Sequence, residues 1–203
     1  MMGAVSATGG YLKGRLRRQD ILGAAIEVYA EAGYHGSSLR EIAKRAGITH
    51  AGLIYYFPTK EALLAAVLEH RDTQDADRER FATTPPGREV LRRFITLAEH
   101  NVRNPGVVDL YARLAAEAVA ADHPAHEYFQ RHYRTARDIA LKSFQALADR
   151  GELRDGVDPN ATAVAFIALM DGLQVQWLTA AEDVDLVGIL KSFVDNVLTS
   201  PLD

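Results

Sequence analysis

Small and polar residues with a defined spacing lie near the start of the chain, and their chemistry is that of recognition rather than bond making. Ser38 and Glu41 have the S-x-x-E spacing of a helix capping box. Ala43 and Gly47 follow where two helices would meet across a tight turn, because a small residue allows close approach and glycine tolerates a positive φ. Thr49 is a good N-cap for a following helix. This order indicates a helix-turn-helix, whose second helix can enter a DNA major groove; an ordinary helical hairpin inside a bundle is the alternative.

The second helix of this motif carries groups that hydrogen-bond to DNA. The hydroxyl and nearby backbone N–H groups of Thr49 could face a phosphate. His50 and Gly52 fall on the early part of the helix, where side chains reach base edges. His50 can donate to or accept from a purine, and Gly52 permits close approach. Tyr55 and Tyr56 have hydroxyls that can reach a phosphate, although the spacing of Tyr56 also suits the core.

Charge is distributed unevenly along the chain, whose net charge is −4. Residues 1–60 contain eight Lys or Arg and four Asp or Glu, whereas residues 61–203 contain 15 and 23. A basic N-terminal region followed by an acidic remainder is expected when one domain binds a polyanion and the other does not; a merely uneven surface is the alternative. The overall acidity therefore does not argue against a nucleic-acid partner.

The elements that must position these residues are helices, since apolar residues recur at three- and four-residue spacing and no sustained alternation predicts a strand. Ile42, Ala46, Ile48 and Leu53 fit a small core shared by the helix-turn-helix. We predict an all-α fold of about nine helices. Their approximate residues are 16–32, 38–46, from 49, from 58 towards 80, 88–103, 107–121, 125–150, 160–180 and 185–199.

Composition and missing motifs exclude several classes of protein. The 203 residues include no cysteine, which rules out a disulfide scaffold, a thiolate metal site and a thiol nucleophile. The sequence has no G-x-S-x-G elbow, phosphate-binding glycine loop or H-E-x-x-H, so we predict neither an enzyme nor a cofactor. His126 and His132 have a spacing that suits no common metal site, and none is predicted. Interrupted apolar runs and the lack of a signal-peptide pattern predict a cytoplasmic protein without a membrane-spanning helix.

The segment from Ser38 to Leu64 contains, from Ile42 onwards, the pattern I-A-x-x-A-G-I-T-x-x-x-L-x-Y-Y-F-P-T-K-E-A-L-L and resembles the DNA-binding domain of TetR-family transcriptional regulators. Residues 20–34 are similar to the opening helix of that family. The aromatic-Phe-Pro-Thr-Lys-Glu stretch is the most discriminating part, because generic helix-turn-helix proteins lack it. The resemblance implies a homodimer that reads a palindromic operator through its N-terminal domains. Its C-terminal helices would bind a small molecule that releases the DNA.

The resemblance also extends to individual positions. Lys60 resembles the family's backbone-contacting lysine, and Arg40 resembles a position that some members use for a base or phosphate. Arg17 lies among basic residues that, in the family, contact a flanking phosphate or the minor groove. Two departures bear on the operator sequence: Ile54 replaces a usual tyrosine, and His50 replaces a longer polar residue. The predicted DNA contacts are Arg17, Ser38, Arg40, Thr49, His50, Gly52, Tyr55, Tyr56 and Lys60.

The last two predicted helices carry apolar stripes too wide for one core contact, and they look like the family's four-helix dimer interface. Packing inside a monomer is the alternative. The predicted interface residues are Val164, Trp177, Leu186, Leu190, Phe193 and Val197. A ligand pocket would lie among the middle helices, between about Leu91 and Leu147, and the inner side of the penultimate helix. Its candidate polar residues are His100, Asn101, Arg113, Asp171, Gln174 and Gln176, of which none stands out.

The sequence therefore predicts three regions: a flexible tail over residues 1–14, a helix-turn-helix domain over 15–60 and a larger ligand-binding and dimerisation domain over 61–203. The predicted function is that of a ligand-responsive transcriptional regulator, most often a repressor in this family. The ligand would favour a dimer conformation whose recognition helices are wrongly spaced for successive major grooves. A helical small-molecule-binding or scaffold protein without DNA regulation is the alternative.

Overall fold

The computed structural model describes residues 6–79 and 81–202. Over these residues the chain forms nine α-helices and a one-turn 3₁₀ helix at Phe81–Thr83, which confirms the predicted all-α class. The α-helices are α1 (Ser6–Gly36), α2 (Leu39–Arg45), α3 (His50–Tyr56), α4 (Lys60–Glu79), α5 (Arg88–Arg103), α6 (Pro105–Glu117), α7 (His126–Asp149), α8 (Pro159–Thr179) and α9 (Leu186–Val197). The chain divides into two compact units, residues 1–71 and 72–203. The observed boundary thus lies inside α4, later than the predicted one after residue 60.

The first helix is longer than its sequence suggests, because α1 begins at Ser6 where a flexible tail was expected through residue 14. Glycines and hydroxyl residues of low helix propensity motivate that expectation. Residues 1–5 of the expected tail lie outside the described part of the chain. Gly33, the predicted stop, has φ 68° and ψ 177° and breaks the helical segment rather than ending it.

The first unit folds around one face of α1. Ile21, Ala25 and Val28 recur along that face and are fully buried, as the helical period of their spacing requires. Ile42 of α2 and Leu53 of α3 are also fully buried, and α2 packs against both α1 and α3. Of the four anchors that the sequence pattern identifies for a helix-turn-helix, Ile42 and Leu53 are therefore buried, whereas Ala46 and Ile48 are half-buried.

The second unit has a core built from α5, α7, α8 and α9. Phe144 of α7 and Phe166 of α8 are completely buried, with ring centroids 6.0 Å apart in an edge-to-face arrangement. Phe94 of α5 lies 5.4 Å from Phe166 in the same geometry. Edge-to-face rings fill such a core without setting their negative faces against each other.

Helix α8 is long and apolar enough, by length and composition alone, to cross a membrane. Its best window has a mean hydropathy of 1.3 and includes one charged residue, Asp171. Within the second unit, however, Phe166, Ile167, Met170 and Leu173 of α8 belong to the buried core. Residues of a central core helix satisfy the same compositional test.

Two arginines of α5 hold the segment that follows α9. Arg88 donates to the carbonyl of Pro201 at 2.7 Å and to the hydroxyl of Ser200 at 2.8 Å. Arg92 donates to the carbonyl of Leu202 at 3.1 Å. The Leu202 side chain is buried, so this segment completes the core of the second unit.

Candidate nucleic-acid interface

The turn and the start of α3 are fixed by local backbone chemistry. Gly47 has φ 66°, the conformation that the turn between α2 and α3 requires of glycine. The Thr49 hydroxyl accepts a hydrogen bond from the Gly52 N–H at 3.0 Å, which confirms the predicted N-cap. A Cβ at Gly52 would lie 3.2 Å from the Thr49 hydroxyl oxygen. Glycine at this position therefore leaves room for the cap, in addition to its predicted role in close approach to DNA.

The outer face of α3 presents the side chains that were predicted to contact DNA. His50 is exposed, and 82% of Tyr55 is exposed although it is a large aromatic residue. Tyr56 is half-buried, with its ring 5.3 Å from that of Tyr55 in an edge-to-face contact. Leu53 faces inward on the same helix and anchors it. The arrangement offers an imidazole and a phenol to solvent on a helix whose opposite face is fixed.

Helix α2 begins at the predicted cap. The Ser38 hydroxyl accepts from the Glu41 N–H at 3.2 Å. Arg40 and Lys44 are exposed on this helix. Arg45 instead makes a two-pronged ion pair with Glu31 of α1, with both N–O distances 2.7 Å. This pair lowers the pKa of Glu31 and ties α2 to α1, so Arg45 contributes less to the positive surface than its charge suggests.

Arg17 and Arg18 of α1 each have a partner within the protein. Arg17 lies 3.9 Å from Asp20, and both side chains are about half-exposed. The Arg18 guanidinium lies 5.1 Å from the ring centroid of Phe57, at the end of α3. Arg18 thereby connects α1 to the end of the recognition helix, a contact that the sequence did not indicate.

Lys60 occupies a different environment from the one that the family resemblance implies. Its ammonium donates to the carbonyl of Ser37 at 2.7 Å and lies 4.4 Å from the ring centroid of Tyr34. The side chain is half-buried rather than extended into solvent. The predicted DNA contact is therefore also a contact that holds two parts of the first unit together.

The predicted dimer residues fall into two groups. Leu186 and Leu190 are only 2% and 0% exposed, so they pack in their own unit and correct the expectation that they form an interface. Trp177, Phe193 and Val197 are half-buried and pack against the same core. Val164 is 47% exposed, and Val175 and Ile189, which are not among the predicted interface residues, are 52% and 43% exposed. The exposed apolar face of α8 and α9 consists of Val164, Val175 and Ile189.

The polar residues proposed for a ligand pocket differ in their burial and in their partners. Asn101 is buried, whereas Arg113 is exposed and bonds Asp109 at 2.9 Å. The Asn104 side chain contacts the ring and the carbonyl of His100, the latter at 2.8 Å. Asp171 and Gln174 are half-buried and Gln176 is exposed.

A polar cluster that the sequence did not indicate lies between α6 and α7. The hydroxyls of Tyr111 and Tyr128 are hydrogen-bonded to each other, and the Tyr111 hydroxyl lies 3.1 Å from Nδ1 of His132. His132 lies 3.5 Å from the carboxylate of Asp72. Burial and the nearby Tyr111 and Asp72 raise the pKa of Tyr128, which therefore stays protonated. Residues far apart in sequence form this cluster, and no spacing rule could have found it.

Comparisons with known proteins agree with this geometry. Residues 21–67 match the family model described as bacterial regulatory proteins of the tetR family, and residues 85–199 match the C-terminal region of BetI-type transcriptional repressors. The second match spans more than half of the chain.

Individual relatives are similar over different extents. RutR, a transcriptional regulator of Escherichia coli K12, is 43% identical over 67 residues, which cover 32% of each protein. The match thus spans about a third of that relative. TtgR of Pseudomonas putida is 28% identical over 195 residues, covering 89% of each protein. The solved complex of SmeT, a Stenotrophomonas maltophilia repressor, with triclosan is 22% identical, has a TM-score of 0.79 and covers 93% of this chain and 94% of its own.

Proposed function

Because the chain belongs to the TetR family and is a transcriptional regulator, we propose that it is a repressor that binds a palindromic operator as a homodimer. The observation that carries this proposal is the capped α3 helix, fixed by buried Leu53 and presenting exposed His50 and Tyr55. A helix held in this way can enter a major groove as a rigid reader. A cytoplasmic location is part of the proposal, since the operator lies there.

Dimerisation is proposed through the exposed apolar face of α8 and α9. Val164, Val175 and Ile189 are large apolar residues left uncovered by their own unit. A two-fold axis would bring the same residues of a second copy against them and place two α3 helices on the two half-sites of a palindrome. The opposite side of α8 packs in the core of its own unit, so the exposed side is the one available to a second copy, which supports this arrangement.

A small molecule is proposed to release the operator. TetR-family regulators bind small-molecule ligands as well as DNA. In this chain the Tyr111, Tyr128 and His132 cluster supplies hydroxyl and imidazole groups among aromatic rings, which is the composition of many ligand sites. The ligand can shift the conformational equilibrium by no more than its differential affinity for the two states.

The first experiment is genome-wide mapping of binding sites, followed by fluorescence anisotropy with the recovered palindrome at several salt concentrations. We expect specific binding with a steep salt slope, because neutralised phosphates release counterions. His50→Ala combined with Tyr55→Ala is expected to lower the affinity for the palindrome at least tenfold. Arg103→Ala, which removes an exposed cation from the second unit, serves as the control. Equal affinities for the palindrome and for unrelated DNA, or wild-type affinity in the double variant, would contradict the proposal.

The alternative is a helical small-molecule-binding protein that does not regulate through DNA. It predicts ligand-induced stabilisation in thermal denaturation without any salt-dependent binding to a genomic palindrome. The exposed polar and aromatic face of α3 favours the regulator, because a ligand carrier has no need of it.

A further inference from the structure

The helix-turn-helix segment is held at both of its ends by the first turn of α4. Its C-terminal end is held covalently, since Phe57 caps α3 and only Pro58 and Thr59 precede α4. Its N-terminal end is held by Lys60, whose ammonium donates to the carbonyl of Ser37 at 2.7 Å. Ser37 directly precedes Ser38, the N-cap of α2. One residue of α4 thus closes a loop around both reading helices.

The groups around Lys60 are arranged to keep its ammonium in place. The Tyr34 ring lies 4.4 Å from the ammonium, at a distance at which a cation is attracted to an aromatic face. The Tyr34 hydroxyl donates to Glu61 at 2.9 Å, and the Ser37 hydroxyl donates to the Tyr34 carbonyl at 2.7 Å. Tyr34 and Ser37 are both buried. The contact therefore forms part of a network and does not depend on one flexible side chain.

We propose that Lys60 is a positioning residue that fixes α2 and α3 relative to α4, a proposal that rests on the proposed DNA-binding function. This positioning contributes more to operator affinity than any phosphate contact that Lys60 makes. A hydrogen bond from a charged donor to a buried carbonyl is stronger than a solvent-exposed one. An exposed lysine at a phosphate contributes uniformly to all DNA sequences. A lysine that holds the start of α2 instead determines where α3 points, and so acts on specific binding.

The test compares Lys60→Met, which keeps most of the apolar stem, with the charge-retaining Lys60→Arg. Lys44→Met is the matched control, because Lys44 is an exposed lysine of α2. Operator and random-sequence DNA are titrated by anisotropy over a range of salt. Hydrogen exchange by mass spectrometry follows the first turn of α2, where the Ile42 N–H donates to the Ser38 carbonyl at 3.1 Å.

For Lys60→Met we expect about a tenfold loss of operator affinity, which corresponds to the strength of one charge-assisted hydrogen bond. Random-sequence affinity and the salt slope should remain those of wild type. In Lys60→Met, hydrogen exchange in the first turn of α2 should become faster. Lys60→Arg should retain both the operator affinity and the slow exchange of wild type. Lys44→Met should leave the exchange unchanged.

Equal losses on both DNA types, with a salt slope reduced by about 0.9 for each lysine removed, would identify a phosphate contact and overturn the proposal. Unchanged operator affinity and exchange would overturn it as well. If Lys60→Met fails to fold by circular dichroism, Lys60→Gln, which keeps a neutral donor, replaces it under the same criteria. If wild type binds no palindrome, the proposed function fails, whereas the exchange experiment still decides whether Lys60 holds α2.

Discussion

At the scale of single residues, the start of helix α3 depends on the hydroxyl of Thr49 and on the lack of a side chain at Gly52. Thr49 caps α3 by accepting from Gly52, and glycine at residue 52 leaves the cap its space. Both residues were predicted as DNA contacts from their place in the motif. The structure shows that each also has a role in the free protein. A variant at either position therefore changes the helix as well as its surface.

Thr49→Ala should lower the free energy of unfolding by about 1 kcal/mol, the usual cost of losing an N-cap hydroxyl. Thr49→Ser should retain most of this stability, because its hydroxyl can accept the same bond from Gly52. Urea denaturation followed by circular dichroism measures both. Equal stabilities for Thr49→Ala and Thr49→Ser would show that the cap contributes nothing.

Tyr55→Ala should separate DNA binding from stability. Since 82% of Tyr55 is exposed, its removal should change the free energy of unfolding by less than about 0.5 kcal/mol. Operator affinity should nevertheless fall about tenfold if the ring or hydroxyl contacts DNA. Tyr55→Phe then tells these apart, since it removes only the hydroxyl. Wild-type operator affinity in Tyr55→Ala would show that this residue does not contact DNA.

At the scale of elements, ion pairs connect helix α5 to the loop between α7 and α8. In the second unit, Arg88 of α5 bonds Glu152 of the α7–α8 loop at 2.5 Å, and Arg150 bonds the other oxygen of Glu152 at 2.7 Å. Arg88 and Arg150 lower the pKa of Glu152 below the usual carboxyl range. The helix α5, the loop and the segment after α9 therefore meet at one arginine.

This pair makes stability depend on pH in a defined direction. A carboxyl whose pKa is lower in the folded than in the unfolded state stabilises the fold above the unfolded pKa, about 4.3 for Glu. That contribution is lost as the pH falls through the lower, folded value. The melting temperature of wild type should therefore exceed that of Glu152→Gln at pH 7, and the difference should shrink as the pH falls below about 4. Glu127→Gln, at an exposed site, is the control. A pH-independent difference would exclude this linkage.

At the scale of the whole molecule, helical pattern and capping residues accounted for most of the fold. The bounds of α5 match the prediction, because a glycine and an Asn-Pro pair flank a strongly periodic segment. The caps of α2 and α3 were also predicted, since Ser38 and Thr49 act locally. Local rules could not show which side of a wide apolar stripe its own unit covers. Leu186 and Leu190 were assigned to the wrong side for that reason.

Parts of the candidate site escaped prediction because they depend on distant pairs. The contact of Lys60 with Ser37 joins residues 23 apart in sequence, and that of Arg18 with Phe57 joins α1 to the end of α3. A motif gives the type of residue at a position but not the partner that the fold brings to it. The network around Tyr111 and Tyr128 was missed for the same reason.

Dimerisation can be tested by placing charge on the exposed apolar face of α8 and α9. Val175→Glu combined with Ile189→Lys is expected to give a folded monomer, because burying either charge in an apolar interface is costly. Analytical ultracentrifugation measures the mass, and the operator affinity should fall with it. Val119→Glu, at a position 79% exposed outside these helices, is the control. A variant that remains dimeric would place the interface elsewhere.

The burial of Leu202 has a consequence for how the protein is made. The first unit is complete by residue 71, so it can fold while the rest of the chain is still being synthesised. The second unit cannot close its core until Leu202 has left the ribosome and Arg88 and Arg92 have bound its neighbouring carbonyls. During synthesis, the first unit of the nascent chain therefore reaches its final form before the second unit.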